Sequence, residues 1–384
     1  MSKLKKIIYS IATLSGTTIG VGLFSLPYIA SKVGFWVMLG YFLVLGIIVT
    51  IIHSLFGKLA IATPDFKRLP GFAKFHLGKW GERIAFICAV LGAFGAILAY
   101  LIVGGSFLES LLSPILNIEG NVFYTLLYFI TGAILIFLGI KIIAQIEVWG
   151  LILFFAVLII IFIRAYPIIR IEQFFLPPAN LDILTFFLPY GAVLFSLWGA
   201  VLIPEVEEML GKDKNLLQKI IPVATFIPII IYIFFIYLVL GITGPETTES
   251  ALTGLSNYLG GRLVNLTLLF GLLTTFTSFI TLGLTLKRVF WYDLKIGKNL
   301  AWALTCFPPL ILFLLGLKSF ITVISIAGGV MLGVEGILIL LMYQKLVLRK
   351  TEGSKGKKTW LLTLPLILIF VAGFILQIIY FLKQ

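Results

Sequence analysis

The chain has 384 residues, 60% of them hydrophobic and only 12% charged, with a mean hydropathy of +1.14. Soluble domains carry about 25% charged residues, so this chain cannot cover a water-facing surface, and its hydrophobicity equally excludes disorder. The formal net charge of +13 invites a nucleic-acid reading, but the basic residues sit between apolar runs, where they set membrane topology.

A bilayer-spanning helix needs about 20 mostly apolar residues. Eleven such runs follow in chain order: 7–29, 35–62, 84–112, 122–140, 148–166, 183–204, 220–243, 262–286, 299–316, 319–343 and 360–382. With the N-terminus in the cytoplasm, all but six of the 29 Lys and Arg residues lie on the inner side; the exceptions are Lys32, Arg164, Arg170, Arg262, Lys318 and Lys383. That asymmetry predicts a multi-pass protein of the cell membrane with its N-terminus cytoplasmic and its C-terminus outside. Lys3, Lys5 and Lys6 before the first run resemble a signal peptide, but no A-x-A-like cleavage site follows, so the run is read as a retained helix. The largest inner loop, Pro64 to Arg83, interleaves Phe66, Leu69, Phe72, Phe75 and Leu77 with Lys67, Arg68, Lys74 and Lys79, and is expected along the membrane face. No loop is long enough for a further domain, so residues 1–384 read as one transmembrane transporter domain.

Unwound backbone is tolerated at membrane depth only where it lines a cavity. The first run contains Gly16-Thr17-Thr18-Ile19-Gly20-Val21-Gly22 followed by Pro27, and the sixth contains Phe195-Ser196-Leu197-Trp198-Gly199-Ala200 followed by Pro204 and Glu205. Five spans separate one break from the other, and five is odd. The second five-helix unit therefore starts from the opposite side of the membrane, which is the pattern of an inverted-repeat carrier. Gly16-x-x-x-Gly20 alone also suits helix packing. A third glycine, two hydroxyls and the partner break in the sixth run favour a ligand. Freed N–H groups at the start of a half-helix carry partial positive charge and suit a carboxylate.

In the eighth run Thr274, Thr277, Ser278, Thr281 and Thr285 share one helical face. Such hydroxyls either bond back to their own helix or, facing unwound carbonyls, form a hard-cation site. Glu335, in Gly333-Val334-Glu335-Gly336 of the tenth run, has no Lys or Arg after it until Lys345. An ionised carboxylate at that depth is costly, so Glu335 is a proton carrier, a neutral acid bonded to a neighbouring helix, or one that reaches a water-filled inner vestibule. Glu205 and Glu109 lie nearer span ends and are weaker candidates. No G-x-x-x-x-G-K-[ST] loop occurs, Asp65, Asp182, Asp213 and Asp293 are isolated, and His53 and His76 are the only histidines. Cys88 and Cys306 lie in apolar runs without a CxxC spacing. An ATP-driven pump and an intramembrane enzyme thus find no motif, and neither a metal nor a cofactor is expected.

The residues Gly16-Thr17-Thr18-Ile19-Gly20-Val21-Gly22-Leu23-Phe24-Ser25-Leu26-Pro27 resemble the first-helix signature of hydroxy- and aromatic-amino-acid permeases, within the amino acid/auxin permease group. Leu77-Gly78-Lys79-Trp80-Gly81 is similar to that group's first inner loop, Thr277-Ser278-Phe279 to its eighth helix, and Phe307-Pro308-Pro309-Leu310 with Phe320 and Ala327-Gly328 to its ninth and tenth. The resemblance implies an all-α, leucine-transporter-type fold of five plus five inverted helices (about 7–166 and 183–343) plus one extra helix (about 360–382), with helices 1 and 6 broken. It also implies substrate between those breaks. The expected substrate residues are Gly16, Thr17, Thr18, Gly20, Gly22, Phe195, Ser196, Trp198 and Gly199. Resemblance to the leucine-transporter fold puts a cation near the carbonyls of Gly16 and Ile19, opposite Thr277 and Ser278, with Thr281 on the same face. Sodium-coupled relatives carry an Asn where this chain has Gly16, which, with Glu335, tilts the expectation from sodium to protons. The function expected is cation-coupled uptake of a neutral or aromatic amino acid. An uncoupled facilitator or exchanger is the first alternative and an intramembrane enzyme the second.

Overall fold

Long apolar runs in lipid must satisfy every backbone N–H and C=O internally, and an open sheet cannot do so. All regular structure among the described residues is accordingly helical. The computed structural model describes residues 3–65, 67–139, 155–177, 182–350 and 354–383. In chain order the helices are α1 (Lys3–Thr18), α2 (Leu26–Val33), α3 (Phe35–Ala62), α4 (Leu69–Leu77), α5 (Lys79–Leu116), α6 (Asn121–Leu138), α7 (Phe155–Ile168) and α8 (Ile183–Leu197). They continue as α9 (Ile203–Leu210), α10 (Leu217–Thr243), α11 (Gly261–Arg288), α12 (Lys298–Leu314), α13 (Phe320–Ile326), α14 (Gly333–Lys350) and α15 (Ser354–Lys383).

Among the described residues, seven helical stretches are long and apolar enough to cross a membrane, and an eighth is the pair α1–α2, bent by 47°. One stretch, Ile183–Glu246, runs through α8, α9 and α10, while α7 and α12 are shorter apolar helices. Length and apolarity alone therefore do not return the eleven spans one for one, and residues 148–154 of the fifth lie outside the described residues. The tight junction between α2 and α3 turns on Gly34, whose φ of +91° a side chain would strain.

The segment after α3, expected on the inner side, forms α4, whose buried face of Phe72, Ala73, His76 and Leu77 packs against α5 and α14. Its apolar face is thus spent on the protein; Phe66 lies outside the described residues. His76 Nε2 sits 2.9 Å from the Thr63 hydroxyl, and burial, helped by the positive charge of Arg349, lowers its pKa to about 4.

Two internal supports position the bundle. Phe24 of the first break stacks edge-on against Phe107 of α5 and Phe235 of α10, with ring centroids 5.1 and 6.2 Å away. Lys287 near the end of α11 is only 4% exposed and donates to the carbonyls of Ile136 (2.8 Å) and Phe137 (3.0 Å) at the C-terminal end of α6. A buried cation there satisfies helix-end carbonyls and their partial negative charge. Lys287→Met is expected to cost about 1–3 kcal/mol, read as a lower unfolding midpoint of the detergent-solubilised protein.

Between α13 and α14 the helix widens into a π turn at Ala327–Leu332. Gly328 lies against the Gly191 carbonyl of α8 so closely that a Cβ there would overlap it, and a Cβ on Gly191 would come within 2.8 Å of Ser325 Cα. On the other side of the same turn, Gly329 faces Gln377 of α15, where a Cβ would lie 2.9 Å from Cγ.

Candidate functional site at the two broken helices

α1 stops at Thr18. The Ile19 amide makes the last helical bond, to Ser15 (3.1 Å), but the Gly20 amide turns to the Thr18 carbonyl (2.9 Å), and Gly20 is extended (φ −114°, ψ −157°). A 3-10 turn over Val21–Ser25 then leads into α2. In the same way α8 stops at Leu197, Trp198 is extended (φ −80°, ψ 106°), and Gly199 leads into a 3-10 turn over Ala200–Leu202 before α9. The breaks fall at the glycine cluster of the first run and at Gly199 of the sixth, each followed by a proline in the first turn of the next half-helix.

The breaks touch. A Cβ on Gly22 would overlap the Ser196 side chain and lie 3.1 Å from Phe195 Cδ1; one on Gly199 would sit 2.7 Å from Thr18 Oγ1. The phenol of Tyr232, fully buried on α10, reaches the carbonyls of both Thr18 (2.7 Å) and Ser196 (2.8 Å). Two helix C-termini, each with partial negative charge, thus converge on one hydroxyl that has one proton to give. A charged donor group suits that place. Tyr100 of α5 faces the first break, its hydroxyl 2.8 Å from where a Gly20 side chain would start.

The second break is tied on its other side. The Gly199 amide points to His53 Nε2 of α3 (3.4 Å), whose ring stands edge-on to Trp198 at 5.5 Å. Trp198 Nε1 donates to Oε2 of Glu335 (3.0 Å), which is 7% exposed. Glu335 therefore reports directly to the break in the sixth helix. At the other end of α1, Lys6 ties its start to the Leu210 carbonyl (3.1 Å) and to Asp213 (3.3 Å) after α9.

Other expected residues are placed differently from their sequence reading. Gly16 lies within α1, and the hydroxyls of Thr17 and Thr18 bond back to the carbonyls of Thr13 (3.0 Å) and Leu14 (2.7 Å). The hydroxyl stripe occupies α11, where Thr274, Thr277 and Thr285 donate to Phe270 (2.8 Å), Thr274 (3.1 Å) and Thr281 (2.9 Å) of their own helix. Ile19 is buried and Ser278 partly so. Tyr100, Tyr232 and His53 join the site although they were not among the expected residues. A lone polar side chain in an apolar run is the only signal they carry, and its partner cannot be read from the run.

The tryptophan/tyrosine permease family model matches residues 3–380. The chain belongs to that family. It is an amino-acid permease of the membrane, a transporter and not an enzyme. The permease is 24% identical to tyrosine-specific transport system 1 of Haemophilus influenzae (strain ATCC 51907 / DSM 11121 / KW20 / Rd), over 98% of this chain and 97% of that protein. Among solved structures it resembles MhsT in complex with L-phenylalanine (TM-score 0.62, 18% identity, 99% of this chain and 98% of that one). It also resembles Mhp1, a nucleobase-cation-symport-1 family transporter. The inward-facing form gives TM-score 0.70 at 13% identity over 97% of this chain and 88% of that one. The closed form with bromovinylhydantoin gives 0.65 at 14% over 97% and 90%. These likenesses show that the permease has the leucine-transporter-type fold.

Replacing Tyr232 by Phe in the permease removes the proton shared between the two half-helices and leaves two carbonyls facing an apolar edge. The expected result is substrate affinity lower by about tenfold, the 1–1.5 kcal/mol of a buried hydrogen bond, with an unfolding midpoint shifted by only a few degrees.

Proposed function

We propose that this permease is a secondary active transporter for aromatic or other neutral amino acids, driven by protons, in which substrate binds between the breaks of helices 1 and 6. The supporting observation is the meeting of the two breaks. Their C-terminal carbonyls gather at Tyr232, where an ammonium fits, and the amides that open the Val21–Ser25 turn suit a carboxylate. Gly20, Gly22 and Gly199 keep the backbone bare for close approach, and Phe195, Ser196 and Trp198 line the facing side. Eleven transmembrane helices, a five-plus-five inverted repeat with α15 as the extra helix, a cytoplasmic N-terminus and an external C-terminus complete the reading.

Glu335 is the coupling residue of this scheme. It takes a proton when the cavity opens to one side and releases it to the other, and its bond to Trp198 transmits the change to the break. His53 faces Trp198 from α3. The α11 hydroxyls of Thr277, Ser278 and Thr281, with the carbonyls of Gly16 and Ile19, are the place for a sodium ion if sodium is the driver.

The test is uptake of labelled Tyr, Trp, Phe and Leu into proteoliposomes with pH and sodium gradients imposed separately. Accumulation above equilibrium under a pH gradient alone is the expected result. Equilibration without accumulation under either gradient indicates a facilitator or exchanger, and accumulation under sodium alone overturns the proton assignment.

A further inference from the structure

The helix α4 buries Phe72, Ala73, His76 and Leu77, and His76 turns inward to the Thr63 hydroxyl, but Phe75 among them is 42% exposed. Its ring is shared by two cations from different elements. Lys67 Nζ, from the segment before α4, lies 5.6 Å from the ring centroid, and the Arg349 guanidinium, at the C-terminal end of α14, lies 6.0 Å from it. A cation over an exposed ring is held there by the negative face of the ring. Two cations on one ring repel each other, and an anion that reaches both relieves the repulsion.

Little within the chain answers this charge. Asp65 lies 3.8 Å from Lys67, which also donates to the Pro64 carbonyl, but the Asp65 side chain is 89% exposed. Among the described residues no carboxylate is within ion-pair distance of Arg349. Lys74, on α4 itself, is taken by Glu82 of α5 at 3.0 Å. The level of the ring in the bilayer follows from α5, against which α4 packs. Trp80, Ile84, Ile87 and Leu91 are exposed at three- and four-residue spacing, one stripe of the helix that faces lipid. A tryptophan that opens such a stripe marks the membrane–water interface, where headgroup phosphates lie. Phe75 precedes it by only five residues.

We propose that Lys67, Phe75 and Arg349 form a site for one anionic phospholipid, its phosphate between the two cations and its glycerol and first acyl carbons on the Phe75 ring. The guanidinium supplies a planar pair of N–H donors to phosphate oxygens, and the ammonium supplies a second charge. A free phosphate finds the cations but leaves the ring in water. A zwitterionic lipid carries its own cation towards Arg349. Bound there, the lipid joins the segment before α4 to the end of α14, the helix that carries Glu335. The site depends on neither the proposed substrate nor the proposed driving ion.

Native mass spectrometry of the full chain in detergent tests this, titrated with phosphatidylglycerol or phosphatidylcholine, each with and without inorganic phosphate. In the parent, the first phosphatidylglycerol is expected to bind roughly tenfold tighter than the second and than any phosphatidylcholine, and equimolar phosphate is not expected to displace it. Lys67→Gln and Arg349→Gln are each expected to weaken that first adduct by about fivefold, the effect of one basic residue at a lipid surface. Arg349→Lys keeps most of the affinity, and Phe75→Ser weakens it while leaving phosphatidylcholine unchanged. Lys79→Gln removes an exposed cation beside Trp80 but not one at the ring, and leaves the first adduct unchanged. Lost affinity with an unchanged unfolding midpoint is the signature of the site. Equal affinity for the two lipids, parent-like affinity in both Gln variants at the ring, or an equal loss in Lys79→Gln overturns it, the last by reducing it to diffuse surface charge. Displacement by equimolar phosphate overturns the lipid assignment and makes the patch a soluble-anion site.

Discussion

Gly20→Leu is expected to remove high-affinity amino-acid binding, by roughly 100-fold, while the protein still elutes as a single monodisperse peak. Gly20 is only partly buried, and the atom a side chain would meet first, 2.8 Å from its Cβ, is the hydroxyl tip of Tyr100. That tip can swing aside, so the fold tolerates the change, but the added carbons occupy the space in which the proposed site would bring a substrate carboxylate onto bare backbone. Gly22→Leu gives a different pair of results. There the new carbons are forced between the half-helices, against Ser196 and Phe195, and overpacking of about 1–3 kcal/mol accompanies the loss of binding. Loss of binding without loss of stability in Gly20→Leu separates a ligand site from a packing motif. Unchanged equilibrium binding in Gly20→Leu would return the glycines to helix packing.

The second large effect is expected at Glu335. Glu335→Gln keeps an oxygen acceptor for Trp198 Nε1, so the 3.0 Å bond and the local packing survive, but the side chain can no longer exchange a proton. Accumulation driven by a pH gradient should fall at least tenfold, a coupling loss of about 1.4 kcal/mol or more. Exchange of internal for external substrate, which needs no net proton movement, should continue at a similar rate. Loss of both activities together would make Glu335 a structural acid. Full retention of gradient-driven accumulation would move the coupling elsewhere.

Both breaks were legible in the sequence because glycine and proline act on their own backbone. Three glycines between Gly16 and Gly22, and Gly199 ahead of Pro204, weaken a helix whatever surrounds it. The membrane character was equally legible, since it needs only composition and run length. The number of spans was less so. α7 and α12 are short, and helix continues from α8 through α9 into α10 as one stretch, so helix length alone does not divide the spans, although the polar segment Glu205–Lys219 does. What the sequence hid are contacts made across the bundle. Tyr232 meets Thr18 over a separation of 214 residues, and Trp198 meets Glu335 over 137. The hydroxyl stripe shows the converse. Its periodicity was visible, but the direction of each O–H was not, and Thr274, Thr277 and Thr285 turn theirs inward to their own helix. Lys287 looked like one more inner-face charge, and only the end of α6 above it explains its burial.

The glycine contacts around the π turn divide the moving parts. Gly328 against the Gly191 carbonyl, and Gly329 against the Gln377 side chain, fasten α8 and α15 to the turn, the first with no side chain between. α9, beyond the break, packs on α1, the loop that follows it is tied to Lys6, and α3 packs against both α8 and α9. Trp198–Gly199 is therefore a seam between a block at the π turn that holds α8 and a block with α1 that holds α9, bridged by α3. Turning one block against the other would bend the chain at that seam and leave the glycine-fastened joint at the π turn rigid. The indole of Trp198, bonded to Glu335 just past that joint, is then a lever with its fulcrum on one block and its handle in the seam.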